Sequence, residues 1–68
     1  MVIGKARKWL NEKNFGFVML VETGEDVFVH GSKLPPGVTE LIRGEEVRLE
    51  VEQRADGKLR AVRIELQR

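Results

Sequence analysis

The stretches Asn14-Phe15-Gly16-Phe17-Val18 and Val27-Phe28-Val29-His30 decide the fold of this chain. In both, ring and non-ring side chains alternate, and successive side chains of a β-strand point to opposite faces of the sheet. The rings of each stretch therefore share one face, while the valines share the other face and suit a core. If the two strands are neighbours, the sequence predicts one cluster of rings on a sheet surface. Such a surface suits the stacking of unpaired bases.

The alternative for these rings is an ordinary hydrophobic core, since large apolar side chains are usually buried. Two features of the sequence favour the exposed position. The valines already supply an inward face, and basic residues such as Lys13 flank the rings. We therefore interpret the rings as a surface cluster.

The composition limits the class of protein. A chain of 68 residues makes one domain near the lower size limit for a core that folds unaided. Without cysteine and with one histidine, neither a disulfide nor a metal site is expected. Charged residues make up 34% of the chain but the net charge is only +1, so a basic binding surface must be concentrated on one side. No apolar run is long enough for a signal peptide or a membrane span, and we expect a cytoplasmic monomer.

Alternation and turn signals divide the chain into five predicted strands: Ile3–Leu10, Phe15–Val21, Asp26–His30, Glu46–Gln53 and Leu59–Leu66. A single helical turn is expected at Ser32–Leu34, before two prolines. In the last strand Val62, Ile64 and Leu66 are expected to face inward. Because Leu59 and Ala61 have the opposite parity, a β-bulge is predicted near Ala61. The alternating charges of Glu46–Glu52 predict a solvated outer face with cross-strand ion pairs.

The two ring stretches resemble the two ribonucleoprotein motifs of the cold-shock domain, which usually read Lys-Gly-Phe-Gly-Phe-Ile and Val-Phe-Val-His. Here Lys13–Val18 and Val27–His30 stand in the same order and at the family's spacing. The resemblance covers nearly the whole chain and implies a single cold-shock domain over residues 1–68. Five short strands with a longer third connection also suit its all-β fold, a five-stranded antiparallel barrel of the oligonucleotide-binding (OB) type.

The resemblance implies a protein that binds single-stranded RNA and DNA and acts as an RNA chaperone, with no cofactor, metal or small-molecule substrate. The residues expected to stack bases are Trp9, Phe15, Phe17, Phe28 and His30. The candidates for phosphate contacts are Lys5, Arg7, Lys8, Lys13, Lys33, Lys58 and Arg60. Among these, the resemblance supports Arg7 and Lys13 best, and an ordinary solvated charge is the alternative for the others. Asp26 is expected either to accept a hydrogen bond from a base edge or to cap the hairpin.

The first strand departs from the family pattern. This chain reads Lys8-Trp9-Leu10-Asn11 where the family usually has Lys-Trp-Phe-Asn, and two alignments that differ by one residue compete. A slip of one residue reverses every side chain's face, so parity leaves the register open. In either register we expect the indole of Trp9 to lie beside the rings and to contact nucleic acid.

Other departures remove rings. Gly31 stands where the family commonly has phenylalanine, and the loop Pro35–Thr39 lacks an aromatic residue. At about 1–3 kcal/mol per stacked base, these losses predict modest affinity and a footprint of about three to five nucleotides.

A second function remains open: a small barrel whose aromatic face docks a peptide or another protein. Such a face would be indifferent to oligo-dT and to salt. An enzyme is not expected, because the sequence has no nucleophile–base pair, carboxylate pair or phosphate-binding loop.

Overall fold

The computed structural model describes residues 1–67, which form five strands closed into a barrel. The strands are β1 (Val2–Leu10), β2 (Phe15–Leu20), β3 (Asp26–His30), β4 (Glu46–Gln53) and β5 (Leu59–Leu66). Short 3-10 turns follow β1 and β3, at Asn11–Lys13 and Gly31–Lys33, and no α-helix occurs in the described part of the chain. The predicted all-β, five-stranded barrel is confirmed. The predicted bounds hold for β3, β4 and β5, while β1 begins and β2 ends one residue earlier than predicted.

The strands follow each other around the barrel in the order β1–β2–β3–β5–β4, and β4 closes against β1. Neighbouring strands are antiparallel except β3 and β5, which are parallel through the pairs Val27–Leu59 and Phe28–Arg60. A closed ring with an odd number of strands cannot alternate in direction throughout, so one parallel pairing is a geometric necessity. The prediction of an antiparallel barrel therefore holds for every pairing but this one.

The inside of the barrel is filled by aliphatic side chains. The buried core consists of Ala6, Val18, Leu20, Val27, Val29, Leu41, Val47, Leu49, Ala61 and Ile64. The valines that alternate with the rings are fully buried, as the alternation predicted. Each fully buried Val or Leu side chain contributes about 1.5–3 kcal/mol to the free energy of folding. Leu41 comes from the connection between β3 and β4, where the sequence pattern gave no reason to expect a core residue.

A β-bulge interrupts the pairing of β4 with β5. Glu50 pairs with Arg63 and Val51 pairs with Ala61, so Val62 is the extra residue. The predicted bulge near Ala61 is confirmed, but the expectation that Val62 faces the core is wrong. An inserted residue shifts the alternation of its strand. As a result Ala61 is 3% exposed in the core, and Val62 is only partly buried.

The outer face of β4 and β5 is lined with opposite charges. Three directly opposed pairs form what we call the charged ladder: Arg48–Glu65, Glu50–Arg63 and Glu52–Arg60. Arg60 is ion-paired with Glu52, and Arg63 Nη1 lies 4.0 Å from Glu50 Oε1. The predicted cross-strand ion pairs are thus confirmed. Because such pairs are exposed, each is worth only about 0–1 kcal/mol of stability.

Candidate nucleic-acid interface

The ring cluster, which consists of Phe15, Phe17, Phe28 and His30, lies on the outer face of β2 and β3. Phe15 is directly opposite His30, and Phe17 is directly opposite Phe28. The ring centroids of Phe15 and Phe28 are 5.3 Å apart, and those of Phe17 and Phe28 are 6.0 Å apart. The phenylalanines are partly buried and His30 is exposed. The predicted neighbourhood of the two ring stretches is therefore confirmed, and the rings present a continuous aromatic surface.

A row of opposed side chains crosses the outside of the barrel through the ring cluster. In order from β1 to β4, this cross-strand row consists of Lys8, Phe17, Phe28, Arg60 and Glu52. Each member is paired with the next across one step of the sheet, and residues directly opposite each other share a face. The two central phenylalanines of the row therefore have a cationic residue on either side.

The bulge in β1 decides which side chain stands beside the rings. Ala6 pairs with Val18 and Lys8 pairs with Phe17, so Arg7 is the extra residue. Lys8 therefore shares the face of the rings. Trp9 pairs with Gly16, which lies on the other face of β2, where the side chains point into the core.

The indole of Trp9 packs against the core, and its Nε1 is buried without a hydrogen-bond partner among residues 1–67. A Cβ atom on Gly16 would lie 2.6 Å from Trp9 Cε3 and 2.2 Å from the carbonyl oxygen of Lys8. The expectation that the indole lies beside the rings is wrong, because the β1 bulge turns it to the opposite face. The signal in the sequence was Gly16 itself, which leaves room for a large side chain opposite it.

His30 is held in place by the turn that follows it. Its Nδ1 accepts a hydrogen bond from the backbone N–H of Ser32 at 3.1 Å and lies 2.9 Å from Ser32 Oγ. A backbone N–H can only donate, so the hydrogen of the neutral ring is on Nε2. The bond fixes the ring at the end of β3. No cluster of three or more potential metal ligands occurs within the described range.

The corner between β1 and β2 packs closely against the end of β3. Asn14 has a left-handed backbone with φ of 56°, which asparagine tolerates better than most residues. Its carbonyl oxygen accepts a hydrogen bond from Gly31 N–H at 2.8 Å. A Cβ atom on Gly31 would lie 2.0 Å from Asn14 Oδ1. The amide of Asn14 thus fills the space beside Gly31.

Arg7 and Asp26 meet at one side of the ring cluster. Arg7 Nη1 lies 3.7 Å from Asp26 Oδ1 and 3.9 Å from Met19 Sδ. Both residues line an open groove of about 550 Å³ with Lys8 and Phe17. Asp26 was expected to bind a base edge or to cap the hairpin, and the structure shows it in an exposed ion pair. Arg43, from the β3–β4 connection, also lines this groove and was not anticipated, because loop residues follow no alternation.

The other predicted phosphate contacts lie at the margins of the surface. Lys13 is exposed at the end of the first 3-10 turn, and Lys33 occupies the second turn. Lys58 lies in the β4–β5 turn, where its backbone N–H donates to Asp56 Oδ1 at 2.9 Å. This hydrogen bond lowers the pKa of the Asp56 carboxyl. Lys5 pairs with Met19 on one side and Glu46 on the other.

The chain is similar to known proteins over most of its length. The family model described as the 'Cold-shock' DNA-binding domain matches residues 5–67. The chain is 39% identical over 67 residues to the cold shock-like protein CspA of Rickettsia bellii, covering 96% of this chain and 93% of that protein. It is 48% identical over 52 residues to the cold shock protein CspC of Bacillus subtilis, covering 74% of this chain and 77% of that protein.

A longer relative contains a similar segment. The chain is 42% identical over 59 residues to glycine-rich protein 2 of Nicotiana sylvestris, and the match covers 84% of this chain but only 28% of that protein.

Among the described residues, no helix is long and apolar enough to cross a membrane.

Proposed function

The chain belongs to the cold-shock domain family, and from that premise we propose that it binds single-stranded RNA and DNA by stacking unpaired bases on the ring cluster. The observation that carries this proposal is the division of labour between the two faces of β2 and β3. Fully buried valines supply the core, so the rings on the outer face are not needed to fill it. Every base has a π-face, and an aromatic surface therefore accepts any sequence with weak selectivity.

The same surface supports a role as an RNA chaperone. Rings accept only bases that are unpaired, so the protein binds the open form of an RNA and not its base-paired form. By mass action this preference shifts RNA secondary structure toward the single strand without ATP. Modest affinity suits such a role, since the protein must leave before the RNA is used.

Charge supplies the second part of the interaction. Lys8 stands beside Phe17 on the face of the rings and contacts phosphate there, together with Arg7, Lys13 and Lys58 at the margins. Asp26 is proposed to accept from a base edge where a nucleotide displaces it from Arg7. With about three to five phosphates neutralised, the slope of log K against log salt is about −2 to −3.5 for single strands.

A titration with short oligo-dT tests the proposal, followed both by anisotropy of a labelled oligonucleotide and by Trp9 fluorescence at two salt concentrations. We expect the anisotropy to saturate and the binding to weaken at the higher salt. Because Trp9 packs against the core, its emission should change little. Strong quenching that saturates would contradict the inner position of the indole.

A length series tests the size of the footprint. Affinity should stop rising beyond about six bases, since a platform of this size holds about three to five nucleotides. Continued growth of the affinity past that length would contradict the short footprint. No binding at either salt concentration would overturn the proposed function and favour a face that docks protein.

A further inference from the structure

The pair formed by Glu52 and Arg60 lies at the end of the cross-strand row, next to Phe28. Both Nε and Nη2 of Arg60 contact Oε1 of Glu52. The side chains of Arg60 and Glu52 are 52% and 46% exposed, so neither is closed off from solvent or from a ligand. The ion pair therefore borders the ring cluster and remains accessible.

Arg60 is within reach of a nucleotide bound at Phe28. The two residues are direct partners in the parallel pairing of β3 with β5. Neighbouring strands are about 4.8 Å apart, a distance that an arginine side chain spans easily. A base stacked on Phe28 thus brings its own phosphate, or the next one along the strand, close to the guanidinium.

A carboxylate and a phosphate use the same donors of arginine. The guanidinium presents a planar fork of N–H groups that binds either anion with two parallel hydrogen bonds. Glu52 already uses two of the nitrogens that a phosphate would use. Its negative charge also cancels that of the guanidinium, so the pair as a whole offers an arriving phosphate no net attraction.

We propose that Arg60 is a phosphate subsite of the ring surface and that Glu52 is its internal competitor. The proposal rests on the proposed function, because it assigns a nucleotide phosphate to a residue beside the ring cluster. A nucleic acid must displace Glu52 to gain this contact, so the carboxylate lowers both the affinity and the number of phosphates bound.

The variant Glu52→Gln frees Arg60 without shortening the side chain. The matched control is Glu50→Gln, which changes the net charge equally on the same strand but faces Arg63 instead of Arg60. A third protein, Glu52→Gln with Arg60→Gln, restores the net charge and removes the subsite. Each is titrated with labelled oligo-dT over a series of salt concentrations, and urea unfolding confirms that all are folded.

We expect E52Q to bind oligo-dT about two- to fivefold more tightly than E50Q at low salt. A change of this size matches the free energy of one exposed ion pair. One additional phosphate contact should steepen its salt slope by about 0.7, and the double variant should return to the slope of the wild type. Equal affinities and slopes for E52Q and E50Q, or weaker binding by E52Q, would overturn the subsite alone. No binding by the wild type would overturn the proposed function and this proposal with it.

Discussion

The barrel has two contrasting outer surfaces, the ring cluster on β2–β3 and the charged ladder on β4–β5. Both arise from alternating side chains, but they differ in how far their side chains are paired within the molecule. In the charged ladder each cation faces a carboxylate across the sheet, so its charges are neutralised within the molecule. In the ring cluster the rings contact one another, and no ion pair found among residues 1–67 includes a member of the cluster, so the exposed area remains for a ligand. A surface whose charges are paired within the molecule binds a ligand only by displacing one of its own groups, as proposed for Glu52, whereas the ring cluster offers its exposed area directly.

The largest expected effect on this contrast is a loss of nucleic-acid binding when the central ring of the cluster is removed. Phe28 contacts the rings of Phe15, Phe17 and His30, and its replacement by alanine opens the middle of the cluster. We expect a loss of about 1–3 kcal/mol of binding free energy to oligo-dT, measured by anisotropy. Phe28→Leu is the control, because it keeps apolar bulk and should preserve the unfolding midpoint while still weakening binding. Undiminished affinity in both variants would show that bases stack elsewhere.

Adding a ring should sharpen the contrast. Lys8 stands opposite Phe17 on the outer face, so Lys8→Trp places an indole beside the cluster without touching the core. One further stacked base should raise the affinity by about 1 kcal/mol or more and make the salt dependence shallower, since one cation is lost. Lys8→Gln serves as the control that removes the charge alone and should bind more weakly than the wild type. A Lys8→Trp protein that binds no better than Lys8→Gln would contradict the register of β1.

The smallest effect is expected from the charged ladder. Arg63 Nη2 lies 3.5 Å from Glu65 Oε2, and Arg63 Nη1 lies 4.0 Å from Glu50 Oε1. All three side chains are about half or more exposed. Arg63→Gln should therefore change the free energy of unfolding by less than about 1 kcal/mol, as measured by urea denaturation. Its affinity for oligo-dT should stay close to that of the wild type. A large loss of affinity would instead extend the binding surface along the ladder from Arg60 to Arg63.

Alternation made most of the fold predictable, because a strand with one buried face repeats every two residues. It located the five strands, the valine core and the ring cluster. It indicated the bulge in β5, but at neither bulge did it identify the extra residue, because the two neighbouring residues have the same character. Arg7 and Lys8 are both basic, and Ala61 and Val62 are both small and apolar, so the pattern does not show which residue is extra.

The consequences of the two bulges differ in importance for the candidate site. In β5, where a bulge was predicted, the shift only exchanged Val62 for Ala61 in the core. In β1 it reversed the positions of Lys8 and Trp9, and so changed the composition of the ring surface. Leu41 and Arg43 were missed for another reason: they lie in a connection whose path depends on tertiary contacts and not on a local repeat.

The parallel seam between β3 and β5 gives the barrel an uneven resistance to opening. Only two residue pairs join these strands, against seven between β4 and β5, and one of the two is Phe28 with Arg60. Local opening follows the regions with the fewest contacts, and backbone amides there exchange with solvent first. A nucleotide bound by Phe28 and Arg60 together would connect β3 to β5 across this pairing. Ligand binding and the pairing of β3 with β5 would then be thermodynamically linked, and occupancy would slow amide exchange along both strands.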